Sequence, residues 1–402
     1  MASPALRSSR PRASAPRRVR SMLGAGNLSL RNAPMKILRR TLAAIALLLA
    51  LGVAALALVL RHDAPCAAAP ALAADGTAMQ AIVYRCYGSP EVLRLEHIAK
   101  PVPAPVEILV RVHAASVNPL DWHYMRGTPY LLRTDSGVGA PQNPRFGTDF
   151  AGTVEAIGQD VTHFRPGDAV FGDKHGAFAE YLVVREDRAV ALKPENMSFE
   201  QAAAVPIAGV TALQALRDKG QLRAGQQVLI NGASGGVGTF AVQIAKSLGA
   251  EVTGVCSARN VAMVQSLGAD HVIDYSREDF TRGTARYDLI IDTVSSHSLL
   301  DYRRVLKPRG TVVIVGGTDK GVWLGPMLAP IKALLLNPFV GQRFLPFLAD
   351  MNVKDLNALA ELMRSGKLTP VIDRRYSLAQ ASAAMSYVEA GHAQGKVIIS
   401  VP

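Results

Sequence analysis

Residues 228–246, VLINGASGGVGTFAVQIAK, decide the fold of this chain. The apolar run Val228–Ile230 predicts a strand, and the run from Thr239 to Leu248 predicts a helix, with small residues between them. Small residues let the backbone approach a pyrophosphate, whose charge binds the N–H groups and dipole of the helix N-terminus. The prediction is therefore a dinucleotide site, although an ordinary strand–helix turn has the same local pattern. Its loop residues are Ala233, Ser234, Gly235, Gly236, Val237 and Gly238, with Ala233 where the usual pattern has its first glycine.

The rest of the chain after residue 199 alternates in the same way. Apolar strands are predicted at 228–230, 251–255, 271–273, 289–291 and 311–315, with helical stretches between them. Such alternation predicts a parallel sheet with helices on both faces. Residues 79 to about 200 are instead rich in short valine-containing runs and turns, which predicts a mostly β unit that the last strand, 395–401, can rejoin.

The end of the second predicted strand bears on the choice of cofactor. NAD-binding sites usually place a carboxylate about 20 residues beyond the loop, on the ribose hydroxyl. Here residues 255–260 read VCSARN and contain no acid. Arg259, helped by Ser257 and Tyr275, could instead bind a 2′-phosphate, which predicts NADPH as the preferred cofactor and NADH as a weaker one. The alternative is that Arg259 is a solvated surface cation.

The net charge of +12 is concentrated at the N-terminus. Residues 1–78 contain eleven basic and two acidic residues, and the remaining chain is close to neutral. A nearly neutral body gives little support to nucleic-acid binding, so no nucleic-acid partner is predicted. The three cysteines, an odd number without a C-x-x-C pair, predict neither a disulfide framework nor a four-cysteine zinc site.

Residues 41–60 are twenty residues without a charge, which is about the 30 Å of helix that a bilayer core requires. We predict a basic disordered tail over 1–40, a membrane anchor or signal segment over 41–60, and a linker over 61–78. The lipid bilayer is then a partner, and the positive-inside rule places the body outside the cytoplasm. Two alternatives are export after signal cleavage and a cytoplasmic body whose start codon has been assigned too far upstream.

Several motifs closely resemble one known family, the zinc-independent quinone oxidoreductase branch of the medium-chain dehydrogenases/reductases. They include the cofactor loop and the stretches 116–121 (SVNPLD), 146–152 (FGTDFAG) and 166–172 (PGDAVFG). The resemblance covers about residues 79–402. It implies an α/β fold with a GroES-like catalytic domain over 79–200, closed by 365–402, and a Rossmann NADP-binding domain, a doubly wound parallel sheet, over 201–364. A homodimer is a further option.

The zinc-dependent relatives carry metal ligands at three positions that this chain fills with Asn118, Thr148 and Ile207. A catalytic zinc ion needs three nitrogen, sulfur or oxygen ligands from the protein, so no metal site is predicted. The resemblance also implies that Thr211, Asp292 and Lys396 line the nicotinamide end. Each has a plainer interpretation: Thr211 as an ordinary helix residue, Asp292 as part of a strand-end turn, and Lys396 as an exposed cation.

Hydride transfer without zinc favours an electron-poor acceptor, so we predict reduction of α,β-unsaturated carbonyls or quinones that are small and hydrophobic. The candidate catalytic residues are Asn118, Asp121, Tyr124 and Tyr130, with a tyrosine as proton donor. Asp121 has an alternative role as a helix cap. The competing functions are an alcohol dehydrogenase or carbonyl reductase and a non-catalytic NADPH-binding membrane protein. The apolar segment 322–348 is either a buried helix or a surface for substrate, membrane or a second copy.

Overall fold

The computed structural model describes residues 33–70, 77–316, 321–323 and 325–402. Residues 1–32 of the predicted disordered tail lie outside these residues, and residues 33–40, predicted as disordered too, instead form the start of a helix. The chain divides into two compact units, one ending at Ala57 and the other spanning Leu58–Pro402. Helix α1, Ala33–Arg61, contains the predicted span 41–60, and its part Ile37–Arg61 is long and apolar enough to cross a membrane.

The β domain is formed by two separate parts of the chain. Its elements are β1 (Ala78–Val83), β2 (Arg94–Ala99), β3 (Glu107–Val117), α2 (Pro119–Arg126), α3 (Arg133–Ser136), β4 (Asp149–Ile157), β5 (Ala169–Asp173), β6 (Tyr181–Arg185), β7 (Val190–Leu192), α4 (Phe199–Ala203), β14 (Ile372–Ser377), α11 (Ala381–Glu389) and β15 (Lys396–Ser400). Within the described residues, seven strands form a sheet in the order β14-β15-β3-β4-β5-β7, with β6 also paired to β3. Strand β15 runs antiparallel to β3 and pairs Val397 with Val117, which brings Lys396 to the end of β3.

The Rossmann domain follows in the sequence. Its elements are α5 (Pro206–Gln214), β8 (Gln227–Asn231), α6 (Gly236–Ser247), β9 (Glu251–Cys256), α7 (Val261–Ser266), β10 (His271–Asp274), β11 (Tyr287–Asp292), α8 (Leu299–Val305), β12 (Leu306–Ile314), α9 (Gly325–Leu336), β13 (Arg343–Pro346) and α10 (Val353–Arg364). In the described part of the chain, six parallel strands pair in the order β10-β9-β8-β11-β12-β13. The strand order reverses beside β8, where open α/β sheets bind their ligands at the carboxyl ends of the strands.

Two expectations from the sequence are wrong in part. Cys66 and Cys86 form a disulfide, so the odd cysteine count concealed a bonded pair, and the free thiol is Cys256. Residues 61–66 are also not a free linker, because the backbone of Ala64 donates a 2.8 Å hydrogen bond to the carbonyl of Gly139. Neither contact was predictable from spacing, because each joins segments that only the fold brings together.

Candidate active site

The cofactor loop follows β8 and is shaped by two glycines. Gly232 has a φ of 86°, and a Cβ atom there would lie 2.3 Å from the Oγ1 atom of Thr293. A Cβ atom at Gly238 would lie 2.1 Å from the carbonyl oxygen of Gly232. Both positions therefore require glycine, since any larger residue would force the turn open. The result is a bare backbone cradle at the N-terminus of α6.

The alanine at the usual first glycine position is explained by the neighbouring strand. Ala233 is buried, and its backbone N–H donates a 2.9 Å hydrogen bond to the carbonyl of Val255. Its methyl group lies opposite Gly254 of β9, where an added Cβ atom would come within 3.1 Å of it. The glycine of this contact is therefore Gly254 on the facing strand, and it allows the loop and the sheet to pack closely although the loop position holds an alanine.

The residues of this loop fit a dinucleotide. The side-chain amide of Asn260 donates to the hydroxyls of Ser234 at 3.0 Å and Ser257 at 3.2 Å. Its Oδ1 atom is buried and has no hydrogen-bond partner among the described residues. A buried acceptor without a partner is costly in a finished fold, so this atom marks space for a ligand donor. The helix N-terminus and the glycine cradle beside it suit a pyrophosphate.

The residues predicted to choose between NADP and NAD come together beyond β9. Ser257 follows the last residue of β9, and the backbone N–H of Tyr275 donates to the carbonyl of Cys256 at 3.1 Å. The Arg259 guanidinium is exposed and donates a 3.0 Å hydrogen bond to the carbonyl of His392. A basic group and a serine hydroxyl thus follow β9, where NAD-binding proteins usually have a carboxylate. The role of Arg259 in binding a phosphate stays a prediction.

Lys396 occupies the centre of the other end of the site. It is not the exposed cation of the plainer reading, because only 3% of its side chain is accessible. Its Nζ atom donates to the Oδ1 atom of Asn118 at 2.5 Å and lies 3.5 Å from the carboxylate of Asp149. Burial lowers the pKa of Lys396, and the Asp149 charge opposes that shift. A Cβ atom added at Gly236 of the cofactor loop would lie 3.3 Å from the Cδ atom of Lys396, so the stem of this cation lies beside the cradle.

Asn118 is held at both ends of its amide. Its Nδ2 atom donates to Asp149 at 3.0 Å, while its Oδ1 atom accepts from Lys396. Asp149 also accepts from the Ser116 hydroxyl at 2.9 Å and from the backbone N–H of Ile207 at 3.1 Å. Asn118 thus links a buried lysine and a buried carboxylate, and its catalytic role stays a prediction.

Asp121 caps α2 and joins the same network. Its carboxylate accepts from the backbone N–H of Asn118 at 2.7 Å and from the Thr148 hydroxyl at 3.4 Å, which is the predicted capping role. Burial raises the pKa of Asp121 to about 7, and the neighbouring Asp149 acts in the same direction. Asp173, which pairs with Asp149 in the β-sheet, has its pKa raised to about 8 by burial and by both carboxylates.

Asp149 and Asp173 are the residues that sequence reasoning missed. Asp149 lies inside the motif 146–152, but nothing in that motif shows that a lysine 247 positions further along the chain will be its partner. Asp173 ends β5 and is indistinguishable in the sequence from an ordinary turn acid. The available signal was the motif 146–152 itself, in which Asp149 is the one charged residue.

The two remaining residues of the predicted nicotinamide end lie in the Rossmann domain. Asp292 ends β11 and accepts from the Asn231 amide at 3.0 Å and from the backbone N–H of Ser295 at 2.9 Å. It is therefore the acceptor of a strand-end turn beside the cofactor loop. Thr211 is buried within α5.

The two candidate tyrosines have different surroundings. Tyr124 is half-buried on α2, and its ring centroid lies 6.2 Å from that of His175. Its pKa is raised by burial and by the carboxylates of Asp135 and Asp121. Tyr130 instead contacts Trp323, at 4.7 Å between ring centroids, and the guanidinium of Arg133, also at 4.7 Å. Tyr124 is thus electrostatically connected to the buried network, and Tyr130 belongs to an aromatic contact further along the chain.

The three positions compared with zinc ligands do converge in space. The Asn118 amide lies 3.5 Å from the Thr148 hydroxyl, and Ile207 contributes its backbone N–H to Asp149. Their side chains are an amide, a hydroxyl and a hydrocarbon, which supply no thiolate or imidazole to a metal ion. Among the described residues, no group of three or more histidine, cysteine, aspartate or glutamate side chains is arranged to hold a metal ion.

Comparison with known families agrees with this architecture. Residues 104–195 match the model of the alcohol dehydrogenase GroES-like domain, and residues 267–399 match the model described as zinc-binding dehydrogenase.

Similar proteins come from several organisms. The chloroplastic quinone-oxidoreductase QR1 of Triphysaria versicolor is 36% identical over 346 residues, covering 81% of this chain and 99% of its own. The 2-methylene-furan-3-one reductase of Solanum lycopersicum is 34% identical over 336 residues, covering 80% of this chain and 79% of its own. Among solved structures, the quinone oxidoreductase from Coxiella burnetii is 32% identical with a TM-score of 0.72, covering 81% of this chain and 100% of its own.

Proposed function

The chain belongs to the zinc-independent, quinone-oxidoreductase-like branch of the medium-chain dehydrogenases/reductases and is an NAD(P)H-dependent oxidoreductase, and we propose that it reduces quinones or α,β-unsaturated carbonyls with NADPH. The observation that carries the choice of acceptor is that the three positions compared with zinc ligands pair with protein groups: the Asn118 amide and the Ile207 backbone N–H donate to Asp149, and the Thr148 hydroxyl donates to Asp121. These positions form an internal hydrogen-bond network instead of supplying ligands to a Lewis acid. An acceptor that is itself electron-poor suits such a site.

A bound nicotinamide supplies the hydride, and the protein supplies position and protons. In the proposed reaction, Lys396 and Asp149 fix Asn118, which keeps the end of β3 and the start of α2 in one geometry. Tyr124 on that helix then presents its phenol to the acceptor oxygen. Since burial and nearby carboxylates raise the pKa of Tyr124, the phenol keeps its proton and can donate a hydrogen bond as negative charge develops.

We propose NADPH over NADH because of the group at the end of β9. Arg259 offers a planar guanidinium that suits a phosphate, and Ser257 adds a hydroxyl. The names of related proteins extend to quinone oxidoreductase and 2-methylene-furan-3-one reductase, which supports both acceptor classes.

We also propose that α1 anchors the protein and that the body lies outside the cytoplasm. Ten basic residues precede Thr41, and only Arg61 follows the apolar run closely, which is the charge distribution of a helix whose N-terminal side stays in the cytoplasm. The Cys66–Cys86 disulfide supports the same side, because such bonds persist in oxidising compartments. Residues 38–42, LRRTL, weakly resemble a twin-arginine signal, a route that would carry the folded protein with its cofactor.

The test of the acceptor is NADPH oxidation by the full chain in detergent with quinones, enones, enals and saturated aldehydes side by side. Turnover with quinones or unsaturated carbonyls supports the proposal. Turnover restricted to saturated aldehydes, or alcohol oxidation abolished by a chelator, indicates an alcohol dehydrogenase instead. NADPH binding without any turnover across these substrates indicates a non-catalytic protein.

The test of the cofactor compares Arg259→Ala with Arg282→Ala, an exposed arginine of the same domain that pairs with Asp279. Arg259→Ala is expected to raise the KM for NADPH about tenfold or more, since a hydrogen bond to a charged group is worth about 1.5–3 kcal/mol, and to leave NADH unchanged. Arg282→Ala is expected to change neither. Equal losses for both cofactors in Arg259→Ala would refute the phosphate role.

A further inference from the structure

The segment that follows the apolar helix is fixed to one face of the β domain. We call residues 60–66 the docked segment. Leu60, which ends the predicted span 41–60, is buried, and its carbonyl accepts a 2.9 Å hydrogen bond from Arg133. The carbonyl of His62 accepts from the same Nη1 atom at 3.1 Å, and the carboxylate of Asp63 lies 2.8 Å from Nη2. The buried guanidinium of Arg133 thus binds three residues of the docked segment.

The docked segment is held at its other end as well. The disulfide joins Cys66 to Cys86, and the next residue, Tyr87, places its ring 4.4 Å from the Arg133 guanidinium. Both attachments lead to the same part of the β domain, because the Tyr87 hydroxyl donates to the carbonyl of Gly137 at 2.7 Å. With Ala64 also bonded to Gly139, the start of the body is tied down over its whole length.

Exposed apolar side chains lie around this attachment. Leu131 is 42% exposed and follows Tyr130, whose ring contacts Arg133, and Val138 is 53% exposed and precedes Gly139, whose carbonyl binds Ala64. Val322, 48% exposed, joins them because its carbonyl accepts a 2.8 Å hydrogen bond from the backbone N–H of Tyr130. Trp323 then packs against the Tyr130 ring. We call Leu131, Val138, Val322 and Trp323 the apolar face.

We propose that the apolar face rests on the lipid bilayer. Leu60 is the last residue of the apolar run 41–60, and its carbonyl accepts from Arg133, so only a few residues of chain separate that run from the apolar face. Three aliphatic side chains with a tryptophan and a tyrosine are also the composition found where proteins meet the headgroup region. Lipid is therefore the occupant that the position and the chemistry both favour.

The contact is expected to be apolar and not electrostatic. The charged groups of this neighbourhood largely offset one another, since Arg133 is paired with Asp63, and exposed Arg61 and Asp135 have opposite charges. Association of the apolar face with lipid should then depend little on anionic lipid or on salt.

A consequence for the substrate rests on the function proposed above. The apolar face includes Trp323, whose partner Tyr130 lies six residues beyond Tyr124 on the segment that follows α2. A face that rests on lipid at this point would meet acceptors dissolved in the bilayer. The substrate class it favours is a long-chain, membrane-dissolved quinone.

The lipid contact is tested without any reliance on turnover. The chain has two tryptophans, so Trp122→Phe leaves Trp323 as the one fluorescent reporter. The full chain carrying this change is placed in nanodiscs of phospholipid with brominated acyl chains. We expect roughly a twofold loss of Trp323 emission relative to unbrominated lipid, because a ring at headgroup level contacts the upper acyl chains. The loss should persist in high salt and in zwitterionic lipid.

The matched variant changes the apolar face itself. Leu131→Gln, Val138→Gln and Val322→Gln together are expected to abolish the bromolipid quenching, while Leu95→Gln, Leu192→Gln and Leu300→Gln, exposed leucines elsewhere, leave it intact. Emission that bromolipid does not quench in the unaltered face overturns the proposal. Shielding of Trp323 from both bromolipid and a water-soluble quencher, with self-association, would instead show a second copy on this face and overturn it too.

The substrate consequence is read in the same nanodiscs. The triple variant of the apolar face is expected to lose about tenfold in turnover of a long-chain quinone and to reduce a short, water-soluble quinone at the wild-type rate. Equal rates with both quinones in wild type and variant overturn lipid delivery even where quenching is seen. Failure of wild type to reduce either quinone refutes the proposed function, while the quenching result still decides the lipid contact.

Discussion

Two buried cations hold this protein together at two different places. Lys396 is 3% exposed and Arg133 is 2% exposed, so both have left water almost completely. The principal partners of Lys396 are the carboxylate of Asp149 and the side-chain amide of Asn118, both in the network at the end of β3. Arg133 bonds mainly to backbone carbonyls, including that of Gly127 at the end of α2, and has the more exposed Asp63 as its counter-ion.

The difference teaches what each cation can do. An ammonium is a compact point charge, and burial lowers the pKa of Lys396 while the charge of Asp149 opposes that shift, so this cation depends on one close carboxylate. A guanidinium has five donors in a fixed fork and satisfies several carbonyls at once. Lys396 is thus suited to a reaction site, and Arg133 to a permanent attachment of one chain segment to another.

The largest effect expected is that of Lys396→Met. Asp149 would keep its burial but lose its cation, and breaking a buried pair in this way costs about 3–5 kcal/mol. We expect the free energy of unfolding in urea to fall by that amount.

The double variant Lys396→Met, Asp149→Asn is compared with the single variant Lys396→Met. Removing the stranded charge is expected to restore a large part of the lost stability, although not the activity. If the single variant is as stable as the wild type, the Lys396–Asp149 contact does not hold the site together.

The attachment at Arg133 differs from the Lys396 network because a disulfide, Cys66–Cys86, lies beside it. Reduction of Cys66–Cys86 opens a loop with a sequence separation of 20, which in the chain-entropy account costs about 3 kcal/mol. Urea unfolding with and without a reductant measures this loss. Cys256→Ala, at the buried free cysteine, is the control and should respond to the reductant as the wild type does. A wild type insensitive to reductant would show that the disulfide does not form.

Arg133→Lys separates charge from geometry on the same side. Lysine keeps the positive charge but cannot reach Gly127, Leu60 and His62 together, so we expect a loss of about 1–2 kcal/mol, smaller than for Lys396→Met. The local readout is tryptic cleavage after Arg61, which should accelerate as the docked segment loosens. Unchanged cleavage would mean that the guanidinium fork is not what holds residues 60–63.

The two cations also differ in how far sequence reasoning could predict them. The strands of the Rossmann sheet and the glycine loop were predictable because local periodicity and short-range spacing decide them, as at Gly232 and Gly238. Lys396 was predicted as a site residue through family resemblance, yet its burial was not, because its partner lies in another strand.

Arg133, Asp149 and the disulfide escaped prediction for the same physical reason. Each depends on a contact between segments far apart in the chain, such as Leu60 with Arg133 or Cys66 with Cys86. A sequence records the residue types at these positions but not the register of β15 on β3 or the path of residues 60–66. Such pairings are tertiary information that one sequence does not contain.

The smallest effect expected concerns pH and again divides the two sites. The pKa of Asp121 is about 7 in the folded protein against an ordinary 3.8, so between these values the folded state holds a proton that the unfolded state has released. Stability therefore falls as pH rises through this window. Asp121→Asn should flatten the dependence by about 1 kcal/mol or less between pH 6 and 7, part of the slope remaining because burial also raises the pKa of Asp173.

Asp135→Asn, at an exposed carboxylate of α3 near Arg133, is the control and should keep the wild-type slope. Urea unfolding at a series of pH values decides between them, and a slope unchanged in Asp121→Asn would mean that this carboxyl group is ionised throughout. The pH response would then have to come from Asp173 or from groups outside the network, and Asp121 would not distinguish the Lys396 site from the Arg133 site.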